Sequence, residues 1–416
     1  MMARPNLRWT WLLLLLLPVV RTLALMLAVP AHRPLGGDEP IFDALARSLA
    51  SGQGLVYHGR PWVARAPGWV FVLAAIRMTL GDSVRAAAGV QGLFDCGSMF
   101  LAAWTAATIF GSQRAGILAF VLVGLWPPYL REARFLQTEP LFTLCVAATT
   151  AMLVAWCARP SVIRSIALGL VAGGLSLVRP NGLAVFGALL AGALVTIHGL
   201  ARRGVALALV LLALGAALTP WAVRNWREFH RFVLVSSGTG ELFYMGTTPE
   251  TDGRWDHRQW AVLQGGVLAR ERARLGRNPD PIEADHALLL AGIENWRRDP
   301  WREARIAVKR VARLVMVPLS TSQPALRFGF LIVILIVHGL AIYGTLHGLR
   351  IGGWTGGIAL AILACVVLNA AALSVFYTNS RYFEPLRWLE LILGSGGALP
   401  FASVVSRRFG AAGSST

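Results

Sequence analysis

Long apolar runs separated by short polar or basic segments dominate this chain. About 20 predominantly apolar residues cross a bilayer as a helix, and on that measure ten stretches predict spanning helices. They lie near 9–31, 86–110, 114–130, 139–157, 165–178, 181–198, 204–222, 328–346, 353–376 and 386–405. Two long segments between them hold no span. In the first, 31–85, Ile41, Leu45 and Leu49 recur at helical spacing after Pro40, and the apolar stretch Gly68–Leu80 is too short to cross. Both read as helices lying in the membrane interface. The second, 223–327, is the only part hydrophilic enough for a small aqueous subdomain.

That segment closes on a helix over 300–316, with Asp299 as cap and Pro300 at the first position. Arg302, Arg305, Lys309 and Arg313 share one face of it, and Ala304, Val308, Val311 and Val315 another, a pattern suited to anionic lipid head groups. The whole predicts an all-α polytopic membrane protein in three parts. An N-terminal transmembrane module, 1–222, includes the first outer loop, 31–85; an extracytoplasmic segment, 223–327, follows; C-terminal transmembrane helices occupy 328–416. Trp9, Trp126, Trp156, Trp221, Trp354 and Trp388 fall near span ends, where an interfacial aromatic belt would place them.

Composition agrees. Of the 416 residues 56% are hydrophobic and 14% charged, which excludes an ordinary soluble domain, a disordered tail or a collagen-like fibre. The formal charge of +18 would point to nucleic acid in a soluble chain. Here the charges interrupt or flank apolar runs, with no polybasic block interleaved with aromatics, so membrane lipids and not nucleic acid are the expected partners. Cys96, Cys145, Cys157 and Cys365 all sit in apolar stretches without a C-x-x-C pair, predicting no disulfide. The first run is long enough to be an uncleaved helix instead of a signal peptide. Segments on the side of the termini hold ten Arg and no Asp or Glu, whereas almost every carboxylate falls on the other side. This places the termini in the cytoplasm and the acidic face outside.

Candidate chemistry therefore belongs to the outer face. Gly36-Gly37-Asp38-Glu39-Pro40 sets two carboxylates between the first span and an interfacial helix. Pro40 suits a first helical position, which makes Glu39 a cap-adjacent acid, whereas Asp38 is not needed for that cap and is the better general base. Thr138-Glu139-Pro140 repeats the pattern, with an N-terminal cap again the plain alternative. Two such acids would share a divalent cation or divide roles. Arg179, Arg224 and Arg381 stand at outer helix ends, where guanidinium forks either snorkel to head groups or bind phosphate oxygens. Arg21, inside the first span, costs about 2.5–3.5 kcal/mol on insertion scales and predicts a buried partner, with Asp95 the natural one. The eight histidines show no metal-ligand spacing, and His58 reads as a surface residue. Ser236-Ser237-Gly238-Thr239-Gly240 lacks the Lys of a phosphate loop and reads as a turn before an extended run.

Taken in order, these motifs resemble a known family. They are Asp38-Glu39 after the first span, the apolar half-helix beyond Pro67, Thr-Glu-Pro-Leu-Phe at 138–142, Arg-Pro-Asn-Gly at 179–182, Pro-Trp-Ala-Val-Arg-Asn at 220–225 and Arg-Tyr-x-x-Pro at 381–385. The set is similar to polyprenyl-phosphate-sugar-dependent glycosyltransferases of the C-type membrane fold, in the bacterial branch related to protein O-mannosyltransferases and lipid A aminoarabinose transferases. The resemblance implies a hexosyl- or pentosyltransferase of the cell envelope that inverts the anomeric centre. It would use a polyprenyl-phosphate-linked sugar and an unidentified lipid, glycan or protein acceptor, outside the cytoplasmic (inner) membrane. It makes Asp38 the catalytic acid of the first outer loop, Glu139 the acid of the second and Arg381 part of the lipid-phosphate region. Arg65, in Arg65-Ala66-Pro67-Gly68, stands where the family carries Lys-Pro-Pro. Arg179 and Arg224 join the expected phosphate set, with Glu39, Tyr382 and Asn225 in support. The rival class is a polytopic lipid or solute transporter or flippase, but no pair of matching halves with broken helices is visible.

Overall fold

The computed structural model describes residues 7–197, 199, 203–249, 257–316, 324–376 and 379–410. The helices, in chain order, are α1 (Leu7–Ala28), α2 (Glu39–Ala50), α3 (Gly68–Leu80), α4 (Val84–Phe110), α5 (Gln113–Gly124), α6 (Pro127–Glu132), α7 (Glu139–Ala158), α8 (Val162–Val178), α9 (Gly182–Thr196), α10 (Gly204–Phe229), α11 (Thr239–Thr247), α12 (His257–Leu275), α13 (Pro281–Arg298), α14 (Pro300–Met316), α15 (Pro324–Ile351), α16 (Gly353–Ser374) and α17 (Glu384–Gly410). The described strands, Val56–Tyr57 and Arg60–Pro61, form one antiparallel hairpin. Its turn places His58 and Gly59 at positive φ, the conformation that two-residue hairpins require, and His58 is exposed there.

This is an all-α polytopic membrane protein. Among the described residues α4, α7, α10, α15 and α16 are long and apolar enough to cross a membrane, while α3, α5, α8 and α9 are shorter apolar helices. The stretch 114–130 is no single span: α5 ends at Gly124, Trp126 is extended and α6 begins at Pro127. A residue before proline is pushed out of the helical region, and two successive prolines restart the helix in a new direction.

On α15, Ile334, Val337, Ala341 and Thr345 form a buried stripe, while Phe328, Ile332, Leu335, Ile336, Ile342 and Leu349 point outward. Apolar residues exposed all around such a helix are what a lipid solvent selects. The stripe meets α17, where a Cβ at Gly344 would lie 1.9 Å from the Leu393 carbonyl oxygen and one at Gly397 2.5 Å from that of Leu340. Small residues permit this backbone approach. α17 is central: Leu386, Trp388, Leu389, Ile392 and Leu393 are all fully buried, as is Phe383 just before it.

Four of the six tryptophans expected in the belt depart from it, while Trp354 is half-buried. Trp126, Trp156, Trp221 and Trp388 are buried, and each indole N–H has an internal acceptor: Glu384 Oε2, Ser165 Oγ, Val235 O and Ser98 O. They join elements together, and the side chain of Trp9 lies outside the described part.

In the outer segment, α11, α12 and α13 share a small core of Tyr244, Met245, Val267 and Leu288. Residues after Gly238 are helical and not extended, because Asp285 Oδ1 on α13 accepts the Glu241 backbone N–H (2.9 Å) at the first turn of α11. α14 begins at Pro300 with Asp299 Oδ1 accepting from the Arg302 N–H (2.8 Å), as expected. Its buried face, however, is Glu303, Ile306, Arg310 and Leu314, whereas Val308 is 72% exposed. The paired Glu303 and Arg310 turn inward together, with Arg310 Nη1 donating to Ser374 O (3.1 Å).

Several charges inside the bundle are paired. Arg21 forms an ion pair with Asp95, as its position predicts, and donates to Gly124 O (3.3 Å), joining α1, α4 and α5. Arg387 Nη1 meets Glu390 Oε2 at 2.6 Å, His338 Nδ1 lies 3.0 Å from Glu390 Oε1, and Arg387 Nη2 donates to Val315 O (2.8 Å). All four cysteines are free.

Removing one partner of a buried pair strands the other charge, which costs roughly 3–5 kcal/mol, whereas an apolar replacement of both is near neutral. Asp95→Ala should therefore lower the thermal midpoint in detergent sharply, and Arg21→Met/Asp95→Leu should restore most of it. Equal losses in the two variants would show that the pair is not what is being read.

Candidate active site

The first outer loop presents Asp38 as the residue before α2. Its backbone carbonyl accepts the first helical N–H groups, but its side chain makes no cap bond and is free to turn elsewhere. Glu39 is fixed. Its carboxylate pairs with Arg33 and accepts from the backbone N–H groups of Gly36 (2.9 Å) and Leu136 (2.8 Å). Burial pushes the Glu39 carboxyl up, but Arg33 and the two N–H groups outweigh it and hold it below the usual range. Glu39 thus ties the first outer loop to the second. Arg33 Nη2 donates to Arg134 O (3.0 Å), and Gln91 Nε2 on α4 donates to Ala133 O (3.1 Å) and Phe135 O (2.7 Å), completing the join.

The second outer loop delivers Glu139 as the first residue of α7. Thr138 before it makes no side-chain cap, and the Glu139 carboxylate is taken up by guanidiniums. Its Oε1 lies 2.8 Å from Arg179 Nη2 and 3.6 Å from Arg381 Nε. Arg179 is extended at the end of α8 because Pro180 follows. Arg381 sits in a 3₁₀ turn, Ser380–Tyr382, whose start is capped by Asn379 Oδ1 accepting the Arg381 N–H (3.2 Å). The Tyr382 ring lies under both guanidiniums, with its centroid 5.2 Å from Arg179 Cζ and 5.3 Å from Arg381 Cζ.

Arg381 closes the site. Its Nη2 donates to Asp38 Oδ2 at 2.6 Å, while Arg65 Nη2 reaches Asp38 Oδ1 at 3.4 Å. Arg65 Nη1 in turn faces Glu241 Oε2 of α11 at 3.7 Å. The result is an alternating row of charges, Arg179, Glu139, Arg381, Asp38, Arg65 and Glu241, drawn from segments far apart in sequence. Burial raises the Asp38 carboxyl, and the Arg65 and Arg381 guanidiniums overcome that and hold it below its ordinary value. Burial alone would lower Arg381, but Glu139, Tyr382 and Asp38 raise it, so the guanidinium stays charged. The side chains remain partly open: Asp38 is 29% exposed, Arg65 28%, Glu241 24% and Arg381 20%.

Asp38, Glu139, Arg65, Arg179, Arg381 and Tyr382 therefore come together, with Glu39 supporting from behind. Arg224 and Asn225 do not join the row. Arg224 Nη1 donates to Trp62 O (3.2 Å) and Asn225 Oδ1 (3.1 Å), its guanidinium stacks over Trp221, and Asn225 Nδ2 donates to Val233 O (2.9 Å). These contacts fasten α10 to the first outer loop, so the phosphate role expected of Arg224 is not supported.

Two acids escaped sequence reasoning. Glu241 was hidden because its segment read as extended. Glu132, buried beside Glu139, has its carboxyl pushed up by burial and by that neighbour's charge; its place in Arg131-Glu132 gave no sign of depth. Among the described residues no three His, Cys, Asp or Glu side chains gather in a metal-ligating arrangement. Asp38 and Glu139, the acids considered for a divalent cation, each face two guanidiniums instead.

No family model and no curated protein sequence matches the chain. Among solved structures, ArnT from Cupriavidus metallidurans bound to undecaprenyl phosphate is 16% identical with a TM-score of 0.45, over 94% of this chain and 78% of that one. The archaeal oligosaccharyltransferase AglB from Archaeoglobus fulgidus, in complex with an inhibitory peptide and a dolichol-phosphate, superposes with a TM-score of 0.60 at 10% identity, over 98% of this chain and 52% of that one. The oligosaccharyltransferase of the same organism in complex with Zn and sulfate gives 0.58 at 13% identity, over 95% and 49%. The chain spans about half the length of these archaeal proteins. At such identities the likeness is one of fold: the chain has the C-type membrane fold of the archaeal oligosaccharyltransferases.

The Glu39 carboxylate stabilises the folded state fully above the pKa of an unfolded glutamate, 4.5, and loses that contribution as pH falls through its depressed folded value. Glu39→Gln should lower stability at neutral pH by about 1–3 kcal/mol and flatten the acid side of a thermal-midpoint against pH curve. An unchanged curve would remove Glu39 as the link between the two outer loops.

Proposed function

We propose that this chain is an inverting glycosyltransferase of a bacterial cytoplasmic (inner) membrane. It moves a hexosyl or pentosyl group from a polyprenyl-phosphate donor to a lipid, glycan or protein acceptor on the outer face. The observation that carries the reading is Asp38 held between Arg381 and Arg65 in a partly open site. The shared fold supports it, since AglB, an oligosaccharyltransferase, was solved with a dolichol-phosphate and an inhibitory peptide.

The chemistry follows from the charges. The acceptor hydroxyl oxygen attacks the anomeric carbon, the bond from that carbon to the phosphate oxygen breaks, and Asp38 takes the hydroxyl proton. Attack opposite the leaving group inverts the centre. The departing phosphate changes from a diester monoanion to a monoester with one further negative charge, so donors that meet that developing charge lower the barrier. Arg381 and Arg65, which keep their protons in this setting, are placed to meet it, with Arg179 beside them through Glu139. Glu139 orients Arg381. A divalent cation between Asp38 and Glu139 would have to displace guanidiniums, and the acid–arginine step above uses none.

Asp38→Asn should abolish sugar transfer in proteoliposomes supplied with labelled polyprenyl-phosphate sugar in a chain that still folds and inserts, its thermal midpoint lowered by the loss of a partner for Arg381 and Arg65; undiminished transfer would take the base role from Asp38. Arg381→Ala should raise the donor KM by about tenfold or more, the scale of a charge-assisted contact, with less effect on the acceptor KM. Movement of the labelled lipid across the bilayer without transfer would favour the flippase class.

A further inference from the structure

The resting row is neutral. Three guanidiniums face three carboxylates, yet the proposed reaction asks two of those guanidiniums to receive a phosphate. Arg381 is closely held by Asp38 at 2.6 Å. Arg65 is not: it stands 3.4 Å from Asp38 and 3.7 Å from Glu241, shared at the outer limit of ion pairing by acids on either side.

Glu241 differs from the other acids of the row in where it is mounted. It belongs to the outer segment, on α11, and two close approaches fix it. At one, the helix start at Gly238 (φ 118°) passes so near the first outer loop that a Cβ would lie 3.0 Å from Ala64 O. At the other, Gly240 packs against α13, where a Cβ would lie 2.0 Å from Asp285 O. The Glu241 side chain takes no part in capping, since Asp285 accepts its backbone N–H. Burial pushes the Glu241 carboxyl up against the pull of Arg65, with Asp285 and Asp38 adding to the rise. It is therefore an acid held loosely by one shared guanidinium.

We infer, building on the transferase reading above, that Glu241 is a positioning residue that competes with lipid phosphate for Arg65 and so sets how tightly the phosphate is held. The competition acts in both directions of the cycle. On entry of the donor, Arg65 swings from Glu241 toward the phosphate. After transfer the phosphate monoester carries one more negative charge than the donor and is bound more tightly by the same arginines. A carboxylate waiting beside Arg65 recaptures it and promotes departure of the spent lipid. The outer segment would thus govern release through one acid while touching no reacting atom.

The test is binding of undecaprenyl phosphate to the purified full chain in nanodiscs of neutral phosphatidylcholine. Glu241→Gln, isosteric and with its helix cap intact, should tighten binding by roughly threefold to fivefold, the range of a partly exposed ion pair. Glu241→Asp should lie near the parent, and Arg65→Ala/Glu241→Gln should bind no more tightly than Arg65→Ala alone. A role confined to structure would weaken binding. Weakened or unchanged binding in Glu241→Gln, or tightening that persists without Arg65, overturns the inference. If neither Arg65→Ala nor Arg381→Ala weakens binding, the phosphate site itself is wrong, a failure distinct from that of Glu241.

Discussion

Charges at the edge of a low-dielectric bundle survive only when neutralised and hydrogen-bonded, because desolvation of an isolated ion exceeds what any single contact returns. The alternating row from Arg179 to Glu241 meets that condition with groups from five separate parts of the chain. Its neutrality lets six ionised side chains gather at one mouth without collapsing into water. Under the proposed function the same neutrality is a constraint: a phosphate that enters would have to exchange with a carboxylate, so binding would be a substitution and not an addition.

The scaffold around the row is built from contacts that carry no chemistry. Glu39 joins two outer loops through Leu136, and Gln91 holds the second loop down onto α4. From the opposite side, Trp126 and Tyr129 of the second loop reach Glu384 at the head of α17, three residues beyond Arg381. Each loop is thereby fixed at both ends of the residues it presents. The geometry of the charged row rests on these second contacts, since a 3₁₀ turn or a helix start has little rigidity of its own.

Two kinds of buried arginine coexist in the molecule. Arg21, Arg310 and Arg387 lie within the bundle, paired to an acid or a carbonyl on neighbouring helices, and their value is orientation of those helices. Arg65, Arg179 and Arg381 share acids at an open mouth and keep part of their surface exposed, with Arg179 and Arg381 also lying over the Tyr382 ring. A guanidinium meant for an anion must stay charged yet exchangeable, and partial exposure provides both.

Sequence alone determined the membrane class, the position of most of the apolar helices, the buried partner of Arg21 and the freedom of the Asp38 side chain from capping. Those follow from apolar run length, proline placement and the cost of a lone charge in lipid, all local or pairwise facts. It misjudged the break after Gly124, the inward face of α14, the aromatic belt and the run after Gly238. The break is local, set by Pro127 and Pro128; in the other three a tertiary partner outweighed the local pattern: a buried Glu303–Arg310 pair turned α14, internal acceptors drew the indoles inward, and Asp285 nucleated α11. Only the folded chain decided which arginines share the site. Arg179, Arg224 and Arg381 look alike as helix-end residues before or near proline, and nothing in their spacing reveals that Arg224 meets carbonyls while the other two meet Glu139. Ion-pair partners are set by distances across the bundle, and those are a property of packing.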